Sequence, residues 1–300
     1  MGSFPVEKNG AGPTTPANPQ RRDATGARRT RVYWGDLSFY LCLGVLAATY
    51  VGLVLAMLAA DFFYAMQEPG PVFSKLWTPE IRYAAWLSLI SSTITTVLAL
   101  WVATPIGYLM SRRDFSGKTF VDGILDIPIF LPPLVVGLSL LILFRKTPLA
   151  HIDNYFEIAL HVPAVIIAQF AVAAAFAVRT LRQAFDEITP RCEQVALTLG
   201  CTRSQAFWRV VLPEARRGML TAATLCWARA LGEFGPVLVF AGSTRRRTEV
   251  LPVSVHMELS IGNLEGALGV SLLMVVIALF VLFTARYLGG VEQVAEGYVP

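Results

Sequence analysis

Apolar residues in this chain gather into six long runs, at about Leu37–Ala60, Ala84–Met110, Val121–Phe144, Leu160–Val178, Gly218–Ala241 and Leu264–Ala285. A helix needs roughly 20 such residues to cross the ~30 Å hydrocarbon core of a bilayer. Barrel strands would instead alternate polar and apolar positions over about ten residues. Solid runs predict helices, because a helix satisfies its own backbone N–H and C=O groups in lipid. The first run lies behind a 36-residue tail and is too long for the ~7–15-residue core of a cleavable signal. The expected fold is an all-α membrane protein with six transmembrane helices.

Composition agrees with that expectation. Of 300 residues, 55% are hydrophobic and 15% charged, with a mean hydropathy of +0.56. A soluble domain carries about 45–50% apolar and about 25% charged residues. Too little charge is present here to cover a surface in water. Disordered, collagen-like and coiled-coil chains are excluded by the same figures, and four cysteines are too few for a disulfide scaffold.

Lysine and arginine set the expected orientation. Seventeen fall in the N-terminal tail, the second-to-third and fourth-to-fifth connections and just after the last run, against seven on the opposite side. Both termini are therefore expected in the cytoplasm, and the net charge of +4 requires no nucleic acid. The triple arginine at 245–247 is the one outward cluster. Residues 1–36, rich in Gly, Pro, Thr and Asn, are expected to be a disordered tail, since such a stretch buries too little apolar surface to offset its ordering entropy.

Catalytic patterns are scarce. Ser116–Thr119 contains the Gly-Lys-Thr of a phosphate-binding loop, but Arg112 stands where that loop needs its first glycine. His151, His161 and His256 lack metal-ligand spacing, and Cys192 and Cys201 form no Cys-x-x-Cys pair. No catalytic residue and no metal site is expected.

The longest cytoplasmic connection, 182–217, has structure of its own. Cys192, Val195, Ala196 and Leu199 repeat at helical spacing and Gly200 follows, where helices commonly end. Thr202–Gln205 reads as a capping box. Phe207, Val210 and Val211 then make a second short apolar stripe, which Pro213 is expected to stop. Two such short helices are unstable alone in water and must pack on something.

These residues resemble the cytoplasmic signature of ABC importer permeases: Glu193-Gln194-Val195-Ala196-Leu197-Thr198-Leu199-Gly200, nine residues, then Val210-Val211-Leu212-Pro213. Ala196, Gly200, Leu212 and Pro213 match; Gln194 and Val195 stand where the family usually has Glu and Ala, with Glu193 one position earlier. A second block, Trp227–Gly235 with Ala241-Gly242 and Arg247–Pro252, is similar to the molybdate/tungstate/sulfate branch, as are Tyr108-Leu109, Arg112-Arg113 and Leu131-Pro132-Pro133 with Val136-Gly137. The resemblance covers about residues 80–290. It implies a type I importer bundle with a first helix at 37–63, a permease core at 80–290 and a short C-terminal tail at 291–300. It also implies a coupling site at Glu193, Gln194, Ala196, Leu199, Gly200, Leu212 and Pro213, driven by a separate ATPase dimer that uses ATP and Mg. The other implied partners are an extracytoplasmic binding protein and a second copy of the chain, in a bacterial or archaeal plasma membrane.

Intramembrane polar residues supply candidates for the pathway. Arg229 and Glu233 lie four apart on one helical face, where charges are costly and usually paired. They either line a translocation path for an oxyanion or form an ion pair that fixes packing. Gly232 and Gly235 suit close helix approach. Pro132-Pro133 should kink the third span, a kink that either shapes the pathway or is a static bend. Asp126 is a further buried acid without an assigned role. Molybdate or tungstate is the expected cargo, with sulfate the alternative; a self-contained transporter and an intramembrane enzyme are remote readings.

Overall fold

The computed structural model describes residues 34–67 and 69–296, and every regular element among them is helical. The chain divides into two compact units, residues 1–57 and 58–300. The first holds most of α1 (Trp34–Gln67), whose side chains from Ser38 to Met57 are exposed on every face. The expected tail at 1–36 falls almost entirely outside the described residues.

In the second unit, α2 (Pro69–Leu76) precedes α3 (Pro79–Arg112), which begins with a proline in its first turn and ends on a cation. Next come α4 (Lys118–Phe130), α5 (Pro133–Lys146), α6 (Ala150–Phe156) and α7 (Val162–Glu187). The elbow region contains α8 (Pro190–Thr198), α9 (Arg203–Ala206), a π-helical turn at Phe207–Val211 and α10 (Leu212–Glu214). The chain finishes with α11 (Arg216–Leu231), α12 (Gly235–Phe240), α13 (Leu251–Ser260) and α14 (Leu264–Glu296).

Small residues build the centre. Ala99 and Ala103 of α3, Ala173 and Ala177 of α7, and Ala222, Cys226 and Ala230 of α11 are all but fully buried in one cluster. Lipid supplies no hydrophobic drive for helices to associate, so short side chains that let backbones approach do that work. Ser92 and Thr96 return their hydroxyls to the carbonyls of Ser88 and Ser92, at 2.6 and 2.7 Å, which keeps them satisfied in the interior. Large apolar groups point outward instead: Trp86 and Trp101 on α3 and Phe280 and Phe283 on α14 are well exposed. In a bilayer that outer face is ordinary; in water it would be a large liability.

Two expectations need correction. Among the described residues, four helices are long and apolar enough to span (Ser38–Gln67, Pro79–Arg112, Val162–Glu187 and Leu264–Ala285), and a fifth candidate is a bent pair. The run 121–144 is therefore two helices, α4 and α5, meeting at 108° across Leu131 and Pro132. That break is sharper than a kink, because Pro132 and Pro133 together remove two backbone donors. The run Gly218–Ala241 is likewise not one span: α11 stops at Leu231, residues 232–234 are not helical, and α12 resumes at Gly235. The last helix, α14, continues to Glu296, into the expected C-terminal tail at 291–300.

Candidate functional site: the elbow and the broken span

Two places concentrate the chemistry. At the elbow, α8 ends in a Schellman motif. Gly200 sits at φ 90°, its N–H bonds the carbonyl of Leu197 at 3.1 Å, and the N–H of Cys201 bonds that of Ala196 at 3.1 Å. A Cβ on Gly200 would meet nothing within 4 Å, so the position requires the left-handed backbone rather than a small side chain. The capping box forms as expected: Thr202 N–H to Gln205 Oε1 at 2.9 Å, and Gln205 N–H to Thr202 Oγ1 at 3.3 Å.

Pro213 does not stop the second helix. The turn ahead of it widens to π geometry, with the N–H of Leu212 reaching the carbonyl of Phe207. This local widening accommodates a proline that would otherwise crowd the carbonyl four residues back. The helical path then runs on through Ala215, with its φ of −72°, into α11.

Glu193 turns inward. Its Oε1 accepts a 2.7 Å hydrogen bond from the hydroxyl of Tyr108, and its Oε2 lies 3.5 Å from Nε of Arg112. Arg112 also donates to the carbonyl of Ile188 at 2.9 Å, where α7 gives way to α8. The elbow is thus fastened to α3 as well as to its covalent neighbours α7 and α11. Ala196 is buried and Leu212 half-buried, while Gln194, Gly200 and Pro213 are exposed. Outward from this anchored frame stand Val195, Leu199 and Trp208, the last two 79% and 63% exposed.

At the broken span, Arg229 and Glu233 pair: NH2 of Arg229 is 2.9 Å from Oε1 of Glu233. The carboxylate is 1% exposed and the guanidinium 36%, with the latter 5.5 Å over the ring of Phe176. The contact is ionic, since this oxygen has no well-aligned hydrogen bond. Gly232 caps α11, and a Cβ there would meet only its own preceding turn at 3.5 Å; it serves no close helix approach. Gly235 does: its Cβ would stand 2.9 Å from Cβ of Pro133. Gly137 faces Pro236 in the same way, at 2.8 Å from its Cα. The two chain breaks therefore interlock, α5 against α12.

Asp126, unassigned from sequence, pairs with Arg179, and Asp122 pairs with Arg182, which ties α4 to α7. Of the arginines at 245–247, Arg245 meets buried Glu258 at 2.7 Å and Arg247 approaches Nε2 of His161 at 2.5 Å. Neither the Tyr108–Glu193 contact nor these pairs had a sequence signal, because their partners are 13 to 86 residues apart with no common motif.

The chain is similar to several proteins of known family. The family described as "Binding-protein-dependent transport system inner membrane component" matches residues 103–290. The sulfate transport system permease protein CysW of Synechocystis sp. is 31% identical over 79% of this chain and 88% of its own. A probable molybdenum ABC transporter permease protein of Haloferax volcanii is 31% identical over 90% and 96%. The molybdate/tungstate transport system permease protein WtpB of Thermococcus kodakarensis is 32% identical over 69% and 79%. Among solved structures, a bacterial ABC transporter involved in import of the acidic polysaccharide alginate superposes with a TM-score of 0.67 at 18% identity, covering 85% of this chain and 97% of that one, a likeness of fold. With helical elements throughout the described residues, an elbow that turns at Gly200 and these relatives, the chain belongs to the binding-protein-dependent transport system inner membrane components and is a membrane-embedded permease component of an ABC importer.

Proposed function

We propose that this permease carries a tetrahedral oxyanion, molybdate or tungstate, into the cytoplasm, using ATP hydrolysed with Mg by a separate ATPase dimer. The observation that carries the coupling is the elbow itself, a glycine-hinged helix pair anchored inward through Glu193 and presenting Val195, Leu199 and Trp208 outward. That apolar face suits a protein partner. The relatives named for molybdenum or molybdate/tungstate support the cargo.

In this reading two copies of the chain assemble with the ATPase dimer and receive their anion from an extracytoplasmic binding protein. The plasma membrane holds the complex, and both termini face the cytoplasm, as the lysine and arginine distribution suggests. Arg229, half-exposed at the end of α11, attracts the anion, while Glu233 limits how tightly it is held. Sulfate is the second reading, favoured by the Synechocystis relative. Uptake of radiolabelled molybdate into proteoliposomes containing the permease, its ATPase and its binding protein tests the proposal. Molybdate uptake resistant to excess sulfate supports it; uptake of sulfate alone overturns the cargo.

A further inference from the structure

A groove of about 530 Å³ opens beside the elbow, between the cytoplasmic end of α3 and the α8–α9 pair. One wall is apolar: Pro105 and Leu109 of α3, with Leu197 and Phe207 facing them. Leu109 is 53% exposed, so this wall continues onto the lipid-facing side of α3. The rim is cationic. Arg112, Arg113 and Arg203 line the groove against a single carboxylate, Glu193. Glu193 already engages Arg112 and Tyr108, and Arg112 also bonds the carbonyl of Ile188. Arg113 and Arg203 are exposed, and among the described residues neither has an ion-pair partner.

Height in the membrane narrows the occupant. α3 is apolar from Ala84 to Met110 and becomes basic at Arg112 and Arg113. That transition marks the level where hydrocarbon gives way to headgroups. A ligand here meets an apolar wall on the membrane side and two uncommitted guanidiniums on the aqueous side. Arginine forks match phosphate oxygens bidentately. Basic pockets of this kind between helices at the cytoplasmic side take anionic lipid headgroups.

We infer that this groove binds an anionic phospholipid, its phosphodiester held by Arg113 and Arg203 and its acyl chain laid along Pro105 and Leu109. The site is separate from the cargo path, and it sets lipid against the same α3–α8 junction that Tyr108 and Glu193 fasten.

Native mass spectrometry of the full-length chain released from nanodiscs tests this. The nanodiscs contain phosphatidylglycerol and phosphatidylcholine in equal amounts. Wild type is expected to retain phosphatidylglycerol in preference to phosphatidylcholine. Near a membrane surface each cation contributes enough to change affinity about 5-fold, so R113Q/R203Q should bind phosphatidylglycerol about 30-fold more weakly, and R113Q alone about 5-fold. R113K/R203K keeps the charge and loses the forks, so its retention should fall between wild type and R113Q/R203Q, which separates lost charge from lost folding. Equal retention of the two lipids by wild type would overturn the proposal. So would displacement of phosphatidylglycerol by equimolar inorganic phosphate, which would make the site one for a free anion. Unchanged retention in R113Q/R203Q, together with lost ATPase co-purification, would place a partner protein in the groove and overturn it as well.

Discussion

The hydroxyl of Tyr108 lies 2.7 Å from a carboxylate oxygen of Glu193, joining the C-terminal end of α3 to the first helix of the elbow across 85 residues of sequence. Glu193 therefore works inside the subunit, holding the elbow to the bundle, while the exposed apolar side chains face outward. In the proposed coupling, a push on the elbow would pass into three long helices: α7 and α11 through the backbone and α3 through this contact.

Tyr108→Phe deletes the donor and leaves the ring packed against Phe185 and Phe207. A hydrogen bond to a charged group contributes about 1.5–3 kcal/mol, of which Arg112 retains part. The variant is expected to lose about 1–2 kcal/mol of stability by denaturant unfolding. In proteoliposomes it should import less anion per ATP hydrolysed, with ATPase activity preserved. An unchanged transport-to-hydrolysis ratio would remove α3 from the coupling route.

Gly200 separates conformation from size. Its φ of 90° costs an L-residue roughly 1–2 kcal/mol, yet a Cβ there meets open space. Asn tolerates the left-handed region and β-branched residues do not. Gly200→Asn is expected to keep most ATP-driven uptake, and Gly200→Val to hydrolyse ATP with little uptake. Equal behaviour of the two variants would argue that bulk at this turn, rather than backbone angle, matters.

Arg229 and Glu233 are unequal partners. Removing the cation strands a carboxylate that is 1% exposed, which costs about 3–5 kcal/mol. Glu233→Gln leaves a cation that still reaches the surface, so it should cost far less. Thermal unfolding in detergent ranks the two, with Arg229→Gln expected well below Glu233→Gln. If Glu233 also limits how tightly anion is held, Glu233→Gln will lower the concentration needed for half-maximal uptake.

The interlock of α5 and α12 leaves no room for a side chain at Gly137 or Gly235. Overpacking of this kind costs about 1–3 kcal/mol. Gly137→Val and Gly235→Val should each lower the unfolding midpoint, while Gly232→Ala, whose Cβ would make only ordinary contacts with its own preceding turn, should leave it unchanged. A destabilised Gly232→Ala would show that the break after α11 is held by more than its cap.

Glu249, in the loop before α13, gives the stability a pH dependence. Burial raises its pKa against the lowering effects of the 2.8 Å hydrogen bond from Ser254 and of nearby Arg245. The folded state thus keeps a proton that the unfolded chain has released, and stability falls as pH climbs from the ordinary carboxylate range toward neutrality. Glu249→Gln is expected to flatten that slope and to stabilise the chain at neutral pH. A steeper slope in the variant would reverse the sign of this account.

Apolar runs announced the helices, and Gly200, Thr202 and Gln205 announced the elbow, because both are local patterns in the chain. The breaks were harder to see. Gly232, Glu233 and Gly235 inside the run 218–241 do not interrupt its hydropathy, although the helix breaks there, between Leu231 and Gly235. Nor does the short amphiphilic stretch 251–260 look like α13 until Ser88 offers its Oγ to the N–H of Leu251, at 2.8 Å. Pro213 misled because its effect depends on whether the preceding turn can widen. Tyr108 and Glu193 meet only once α3 and α7 are packed, so no spacing rule could have paired them.

Uptake by proteoliposomes made with and without the ATPase subunit tests the central claim most directly. The permease together with its ATPase, binding protein and internal or external ATP as orientation requires should accumulate the oxyanion, and the same vesicles lacking the ATPase should accumulate none. Sustained accumulation by the permease alone would contradict an engine that acts through the elbow.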